Sequence, residues 1–272
     1  NDSILSFDRA IELNENDAST HSNRGNSLQR LAALHAGRGK LEDAEREYNG
    51  SLLSYDSAIG LNENDAGYHS NRGSGLLGLA ALHAGRGKLE EAEREYREAI
   101  ASYDRAIELN ENDAGYHSNR GSSLQSLADL HAGRGVYEEA ESEYWFSIAS
   151  YDRAIELYDR LLERGEDEAI LNGRGISLSK LAALHTRRGL YEDAESEYRE
   201  AIASYDRAIE LNENDAGYHS NRGSSLQSLA DLHAGRGVYE EAESEYWFSI
   251  ASYDRAIELY DRLLERGEDE AI

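Results

Sequence analysis

The stretch Ser102-Tyr-Asp-Arg-Ala-Ile-Glu-Leu-Asn-Glu-Asn-Asp-Ala-Gly-Tyr-His-Ser-Asn-Arg-Gly121 decides the fold. It reads as the end of one helix, a short polar loop and the start of the next helix. Its Asx-rich middle favours turns and helix N-caps, because Asn and Asp side chains satisfy orphan backbone N–H groups. Versions of it begin at Ser6, Ser54, Ser150, Ser204 and Ser252, so successive starts differ by 48, 48, 48, 54 and 48 residues. Self-similarity at such a period marks an array in which each unit rests on its neighbours.

Outward from this stretch the pattern is helical. Tyr116, Leu124, Leu127, Ala128 and His131 fall on one helical face, and Gly133-Arg134-Gly135 then supplies a C-terminal stop. The next helix carries Tyr137, Ala140, Tyr144, Ile148, Tyr151 and Ala154 at steps of three and four, the spacing of a buried stripe. Strands need alternation with period two, and none is visible. Two helices joined by a tight glycine turn make an antiparallel hairpin. First helices are expected near residues 18–36, 66–84, 114–132, 169–187 and 216–234, and second helices near 40–62, 88–110, 136–164, 190–212 and 238–266. The expected organisation is one continuous body over residues 1–272, with a partial unit at 1–17 and hairpins at about 18–65, 66–113, 114–168, 169–215 and 216–272.

One unit departs from the rest. Residues 157–170 read Leu-Tyr-Asp-Arg-Leu-Leu-Glu-Arg-Gly-Glu-Asp-Glu-Ala-Ile, with six extra residues that should lengthen the second helix by more than a turn. Residues 95–170 and 197–272 are identical, so Ile272 stands where Ile170 stands in the first copy. The chain contains no methionine. A processed product or a segment of a longer array is therefore expected.

Composition sets the chemical bounds. Hydrophobic residues make up 39% of the chain, enough for a core, and 18 tyrosines against 3 phenylalanines mean that many large core residues need a partner for a hydroxyl. The 28 basic and 54 acidic residues leave a net charge of −26. That charge disfavours nucleic acid and anionic membrane surfaces and favours basic partners. Cysteine is absent, which excludes disulfides and thiolate metal sites. There is no membrane-spanning apolar run and no signal peptide, and extracellular and cytoplasmic settings both remain open.

The repeated segments resemble the tetratricopeptide repeat (TPR). Asn119-Arg120-Gly121 resembles the Asn-x-Gly of that family's first helix, Tyr137-Glu138-Glu139-Ala140 the start of its second, and Tyr103-Asp104-Arg105-Ala106-Ile107-Glu108-Leu109 its end. Two departures stand out. Glu111 occupies the place of the family's proline, and the period of 48 exceeds the usual ~34 by about seven residues per helix. Seven residues are nearly two helical turns, so the buried face keeps its register. The resemblance implies an all-α, right-handed superhelical solenoid of stacked antiparallel hairpins, in an elongated form. It also implies a concave groove lined by first helices. The matching positions here are Ser70, Ser74, Ser118, Ser122, Gln125, Ser220, Ser224 and Gln227, a small uncharged lining.

Gly121 lies within the first helix, where glycine costs about 1 kcal/mol relative to alanine. Gly25, Gly73, Gly175 and Gly223 repeat it, which predicts close approach of the two helices of each hairpin.

Candidate chemistry is sparse. Eight of the 9 histidines form the pairs His21/His35, His69/His83, His117/His131 and His219/His233, fourteen residues apart, and His185 stands alone. That separation is about 21 Å along a helix, so no pair chelates one metal. The Asn-Glu-Asn-Asp loops miss the calcium-loop spacing, and Gly133-Arg134-Gly135 lacks the strand and Lys-Ser/Thr of a phosphate loop. No catalytic triad stands out, and no cofactor is expected. Asn1-Asp2-Ser3 and Asn49-Gly50-Ser51 fit the glycosylation pattern, so Asn1 and Asn49 would carry glycans in a secreted protein.

These readings point to a non-catalytic scaffold for protein–protein interaction and assembly, whose partner is a protein, a peptide or a further copy of itself stacked end to end. The alternative is a structural subunit of a self-assembling fibre, since head-to-tail contacts that do not close generate filaments.

Overall fold

A computed structural model describes residues 2–269 of the backbone and the side chains of residues 4–265; the acceptor pattern at Asn1 lies outside them. Among the described residues the chain is all-α, with no strand. The helices are α1 (Asp2–Leu13), α2 (Ala18–Gly37), α3 (Leu41–Leu61), α4 (Ala66–Gly85), α5 (Leu89–Leu109), α6 (Ala114–Gly133), α7 (Tyr137–Leu162), α8 (Glu168–Arg187), α9 (Tyr191–Leu211), α10 (Ala216–Gly235) and α11 (Tyr239–Asp269). They fall within a few residues of the expected spans. Two compact units divide within α7, one of residues 1–150 and one of residues 151–272. In each, consecutive helices pair as hairpins and hairpins stack on their sequence neighbours.

Local chemistry sets the helix ends. Asp17, Asp65, Asp113 and Asp215, the last residues of the Asx-rich loops, sit in extended backbone and accept N–H bonds from the first turns of α2, α4, α6 and α10. Two hydroxyls add to the cap at Asp17, with Thr20 Oγ1 and Ser19 Oγ both donating at 2.7 Å, and they hold its carboxyl pKa at about 2. The loops that resemble calcium ligands are thus N-caps. His21, His69, His117 and His219 reach back across the same loops to the carbonyls of Glu15, Glu63, Glu111 and Glu213 at 2.9–3.0 Å.

At the other end of α4, Lys88 N–H donates to His83 O at 2.9 Å and Gly87 N–H to Ala84 O at 3.0 Å. These are the paired bonds of a Schellman turn, which requires a left-handed residue. Gly87 supplies it with φ 74°, as Gly135 does with φ 79° after α6. The second glycine of each Gly-Arg-Gly therefore makes the turn. The first is dispensable, and Arg187 replaces it in the fourth hairpin.

Pairing within a hairpin is antiparallel, with Gly25 of α2 against Tyr55 of α3 and Ala32 packed with Ala44 and Tyr48. The helical glycines do lie where helices approach closely. A Cβ built on Gly25, Gly73 or Gly175 would stand 2.5–2.8 Å from ring atoms of Tyr55, Tyr103 or Tyr205. Those rings are essentially inaccessible, and burying one contributes on the order of 2 kcal/mol. Their hydroxyls are satisfied by small polar groups of the first helix. Tyr55 OH, with its one proton, lies 2.8 Å from Gln29 Oε1 and 2.9 Å from Asn26 Oδ1, either of which can accept it, and Tyr103 OH shares a 2.8 Å bond with Ser74 Oγ.

A second tyrosine joins one hairpin to the next. Tyr48 packs between Ala32 and Ala44 of its own hairpin and Leu79 and Leu82 of α4. Tyr96 does the same with Ala80, Ala92 and Leu127, and Tyr198 with Ala182, Ala194, Leu229 and Leu232.

The departing unit has a specific geometry. α7 holds 26 residues where α5 holds 21, and its extension repeats the Tyr-Asp-Arg of residues 151–153 at residues 158–160, one heptad later. The hairpin that follows engages the second copy. Arg174 Nε donates to Asp159 at 2.6 Å, and Gly173 lies against the Tyr158 ring.

Candidate interaction surfaces

The recurrent polar residues are engaged in stacking. Arg72 of Asn-Arg-Gly donates to Asp56 of the preceding helix at 2.7 Å and to Ser102 of its own hairpin partner at 2.9 Å. Arg24 repeats this with Asp8 and Ser54, Arg120 with Asp104 and Ser150, and Arg222 with Asp206 and Ser252. Arg174 adds Glu200 at 3.0 Å. Burial opposes the charge of this guanidinium, but Asp159 and Glu200 outweigh it and raise its pKa.

The histidines near the hairpin turns form a second seam. His83 is buried, with Nδ1 2.8 Å from Glu95 Oε2 and Nε2 3.1 Å from Glu45 Oε1, the latter at ion-pair distance but off the hydrogen-bonding line. Glu45 belongs to the preceding hairpin, and it also receives Arg86 and Lys88. The Lys88 bond is the largest influence holding its carboxyl below the usual range. His131 lies likewise between Glu143 at 2.9 Å and Glu93 at 3.4 Å, and His233 between Glu245 and Glu195 at the same two distances. The Gly-Arg-Gly arginines Arg134 and Arg236 reach Glu93 and Glu195 at 2.7 and 3.1 Å. Burial raises the carboxyls of Glu95, Glu143 and Glu245, offset in part by the histidine beside each. At His185 the surroundings differ. Glu197 is pushed up to about 8, first by burial and then by Asp152, Asp193 and Glu200. Among the described residues no three His, Asp or Glu side chains are arranged to hold a metal ion.

The first-helix residues expected to line a groove are spread over different environments. Ser70 and Ser118 are 8% and 7% exposed and offer a ligand almost no surface. Ser22, at the same place one repeat earlier, shows why: Asn71 of the next first helix donates to its hydroxyl at 3.3 Å. Ser74 is half-buried and bonded to Tyr103, while Ser122, Gln125 and Ser220 are half-buried. Ser224 and Gln227 are exposed, and Gln227 Oε1 accepts from Tyr253 OH at 3.5 Å. Asn49 is exposed on α3, where its amide donates to the Glu45 carbonyl at 2.9 Å, while Ser51 of the same pattern is wholly buried.

The prominent concavities lie on the other helices. A cleft of about 430 Å³ runs between α5 and α7, floored by Leu124 and Leu127 of α6, with Ile100 on one wall and Phe146 on the other. Its counterpart of about 490 Å³ runs between α9 and α11, over Leu226 and Leu229, with Ile202 and Phe248 as walls. Glu139 and Glu143 line the first cleft and Glu241 and Glu245 the second. Sequence reasoning by apolar periodicity misses these surfaces, because Phe146 lies off the buried stripe. The available signal was substitution between repeats, with Arg97-Glu98-Ala99 of α5 becoming Trp145-Phe146-Ser147 in α7 and Trp247-Phe248-Ser249 in α11. Ser147 and Ser249 are buried and donate to the carbonyls of Gly121 and Gly223 at 2.8 Å.

Stacked antiparallel hairpins joined by capped loops, with polar seams at every step, define an all-α repeat scaffold. Family models agree: one described as TPR repeat matches residues 87–127 and 194–229, and one described as tetratricopeptide repeat matches residues 73–98. Tetratricopeptide-repeat segments are thus matched within residues 73–127 and 194–229. Among solved structures it is similar to BtubC (BKLC) from P. vanneervenii, at 18% identity and TM-score 0.51, over 96% of this chain and 91% of that one. It is also similar to a putative kinesin light chain with nearly identical TPR-like repeats from Podosopora anserina, at 20% identity and TM-score 0.50, over 84% of this chain and 94% of that one. A form of the latter carrying one substitution gives TM-score 0.52 at 20% identity, over 85% and 95% of the two chains. At these identities the likeness is one of fold. No curated protein matches the sequence. No described helix is long and apolar enough to cross a membrane.

Proposed function

We propose that the chain is a non-catalytic scaffold that binds protein or peptide segments on its helical surfaces. The observation that carries this reading is the contrast between its two kinds of side chain. The recurrent Asp, Arg and His residues that could do chemistry serve as caps and seams, whereas exposed apolar side chains gather beside two equivalent clefts. Large exposed apolar patches mark sites of interaction with proteins, membranes or ligands. Panning a random peptide library against the folded chain tests the proposal. Enriched sequences should bind saturably at micromolar concentrations and lose binding when the helices are unfolded. Failure to enrich any sequence family over unfolded chain would sink it.

A second reading, end-to-end self-association, is favoured by one face of α11. Ile257, Tyr260, Leu263 and Leu264 there are 57%, 49%, 57% and 67% exposed. The same sequence in α7 is covered, with Ile155 against the Leu178, Ala201 and Tyr205 cluster and Tyr158 against Gly173. A hairpin of this protein's own type is therefore the shape that face accepts. Sedimentation of Tyr260→Lys and the parent across concentrations separates the cases, since the parent alone should associate; a parent that stays monomeric at high concentration excludes this reading.

A further inference from the structure

The lone His185 and the extended helix α7 mark the same junction. Hairpins that follow the Asn-Glu-Asn-Asp loops open with His-Ser-Asn-Arg-Gly, at residues 21–25, 69–73, 117–121 and 219–223. The hairpin that follows the extended α7 opens instead with Leu171-Asn-Gly-Arg-Gly175. The first histidine of its pair is therefore missing, and Gly173 stands where the others hold asparagine.

A tyrosine requires that glycine. In ordinary hairpins the tyrosine of Tyr-Asp-Arg packs inside, Tyr55 on Gly25, Tyr103 on Gly73 and Tyr205 on Gly175. The extended helix carries two such tyrosines. Tyr151 is wholly buried, and Tyr158, one heptad later, lies against α8, where a Cβ on Gly173 would stand 2.6 Å from its Cζ and Oη. Where asparagine holds this place it donates to the preceding first helix, Asn71 to Ser22 at 3.3 Å and Asn221 to Asn172 at 2.9 Å. The neighbouring ion pair does not distinguish the two kinds of junction, since Asp56–Arg72, Asp104–Arg120 and Asp206–Arg222 match Asp159–Arg174. The contact of tyrosine with glycine does.

Residues 239–264 of α11 repeat residues 137–162 of α7. Tyr253 lies against Gly223 of its own hairpin, which leaves Tyr260 as the outward tyrosine, exposed together with Ile257, Leu263 and Leu264. Resting on the reading that this face takes a hairpin, we infer that it docks a helical hairpin of another polypeptide chain whose first helix opens Leu-Asn-Gly-Arg-Gly, and that it excludes hairpins opening His-Ser-Asn-Arg-Gly. Tyr260 packs on the docked glycine, and Asp261 accepts from the arginine that follows it. Ile257 enters the apolar cluster beneath, as Ile155 does against Leu178, Ala201 and Tyr205. The ion pair and the apolar contact supply attraction that any hairpin of this type offers. Overpacking between the Tyr260 ring and a side chain at the glycine place supplies the selection.

The test uses the full chain and two hairpin peptides of equal length, residues 167–212 and residues 65–110. Titration calorimetry, at chain concentrations where the parent sediments as a monomer, should show one site for the first peptide and at least tenfold weaker binding of the second. The first peptide carrying Gly173→Asn should also weaken at least tenfold, although asparagine favours a helix more than glycine does. Tyr260→Ala in the full chain should weaken the glycine peptide and bring the glycine and asparagine peptides within threefold of each other, because the ring that separates them is gone. Hydrogen exchange should place the new protection at residues 257–264. Altered exchange at α7 in its stead would mean replacement of the chain's own α8–α9, and would overturn the proposal. Equal affinity for all three peptides would overturn the selection and leave the hairpin reading of this face intact. Failure of every peptide to bind would overturn the proposal too; sedimentation of the parent would then decide the end-to-end reading separately.

Discussion

Replacing Gly73 by alanine tests the packing argument directly, because helix propensity and packing predict opposite signs. Alanine in a helix interior is favoured over glycine by about 1 kcal/mol. The added Cβ, however, would stand 2.8 Å from Tyr103 Cζ, where ordinary contact begins near 3.4 Å. The ring must retreat by about 0.6 Å in a core that is close-packed, and overpacking of this kind costs about 1–3 kcal/mol. Retreat also stretches the 2.8 Å bond between Tyr103 OH and Ser74, whose loss in a buried setting costs about 1 kcal/mol more. The balance is a loss of about 1–3 kcal/mol. Gly85→Ala is the control. It makes the same chemical change near the end of the same helix with nothing within 4 Å, and it should stabilise by a few tenths to about 1 kcal/mol. Repeat arrays lose strict two-state behaviour, so the assay is amide hydrogen exchange resolved to α4 and α5, with thermal melting alongside. Gly73→Ala should speed exchange in both helices, and Gly85→Ala should not. Should Gly73→Ala protect these helices as well as Gly85→Ala does, the close-approach explanation of the helical glycines fails.

Further expectations concern the seams and the extended helix. Asp159→Asn should destabilise the α7–α8 junction by about 1–2 kcal/mol by removing the charge bonded to Arg174, and Asp152→Asn should cost less; an equal or reversed order in urea unfolding would refute the heptad shift. Glu45→Gln and Arg86→Met should show a coupling of about 0.5–1 kcal/mol in a double-mutant cycle that shrinks in salt, and zero coupling would remove the inter-hairpin ion pair from the account. Because Glu197 is raised to about 8 from an ordinary 4.5, its folded form binds a proton that the unfolded chain releases. Its contribution is complete below about 4.5 and declines as pH rises towards 8. Glu197→Gln should therefore melt increasingly above the parent between pH 5 and 8, and a constant offset over that range would argue that Glu197 is ionised throughout. Asp113→Ala should cost about 1 kcal/mol at the start of α6, and an unchanged exchange rate there would refute its capping role.

What was legible in the sequence, and what was not, follows from how each feature is encoded. The hairpins were legible because a stripe such as Ala140, Tyr144, Ile148 and Tyr151 repeats with helical period, although Tyr137, read onto the same stripe, is exposed, and because Gly-Arg-Gly and Asn-Glu-Asn-Asp punctuate it at fixed places. The cost of glycine at Gly73 was legible too, but the identity of the ring it admits was not, since Tyr103 lies on the other helix thirty residues away. Pairings across hairpins were hidden more deeply. Glu45 reads as a surface charge on its own helix and becomes a partner of His83 and Arg86 only when the next hairpin stacks. The groove positions taken from the family pattern show the same limit. Ser70 has the polarity of a surface residue and is buried, whereas Ser224, at a place equivalent to the half-buried Ser74, is exposed. The clefts extend the point. Periodicity locates what a helix buries, and so it passes over Trp145 and Phe146, which lie off the stripe. Comparing unlike repeats at one position locates what a helix presents, and in this chain the departures from the repeat, more than the repeat itself, carry the information about what it binds.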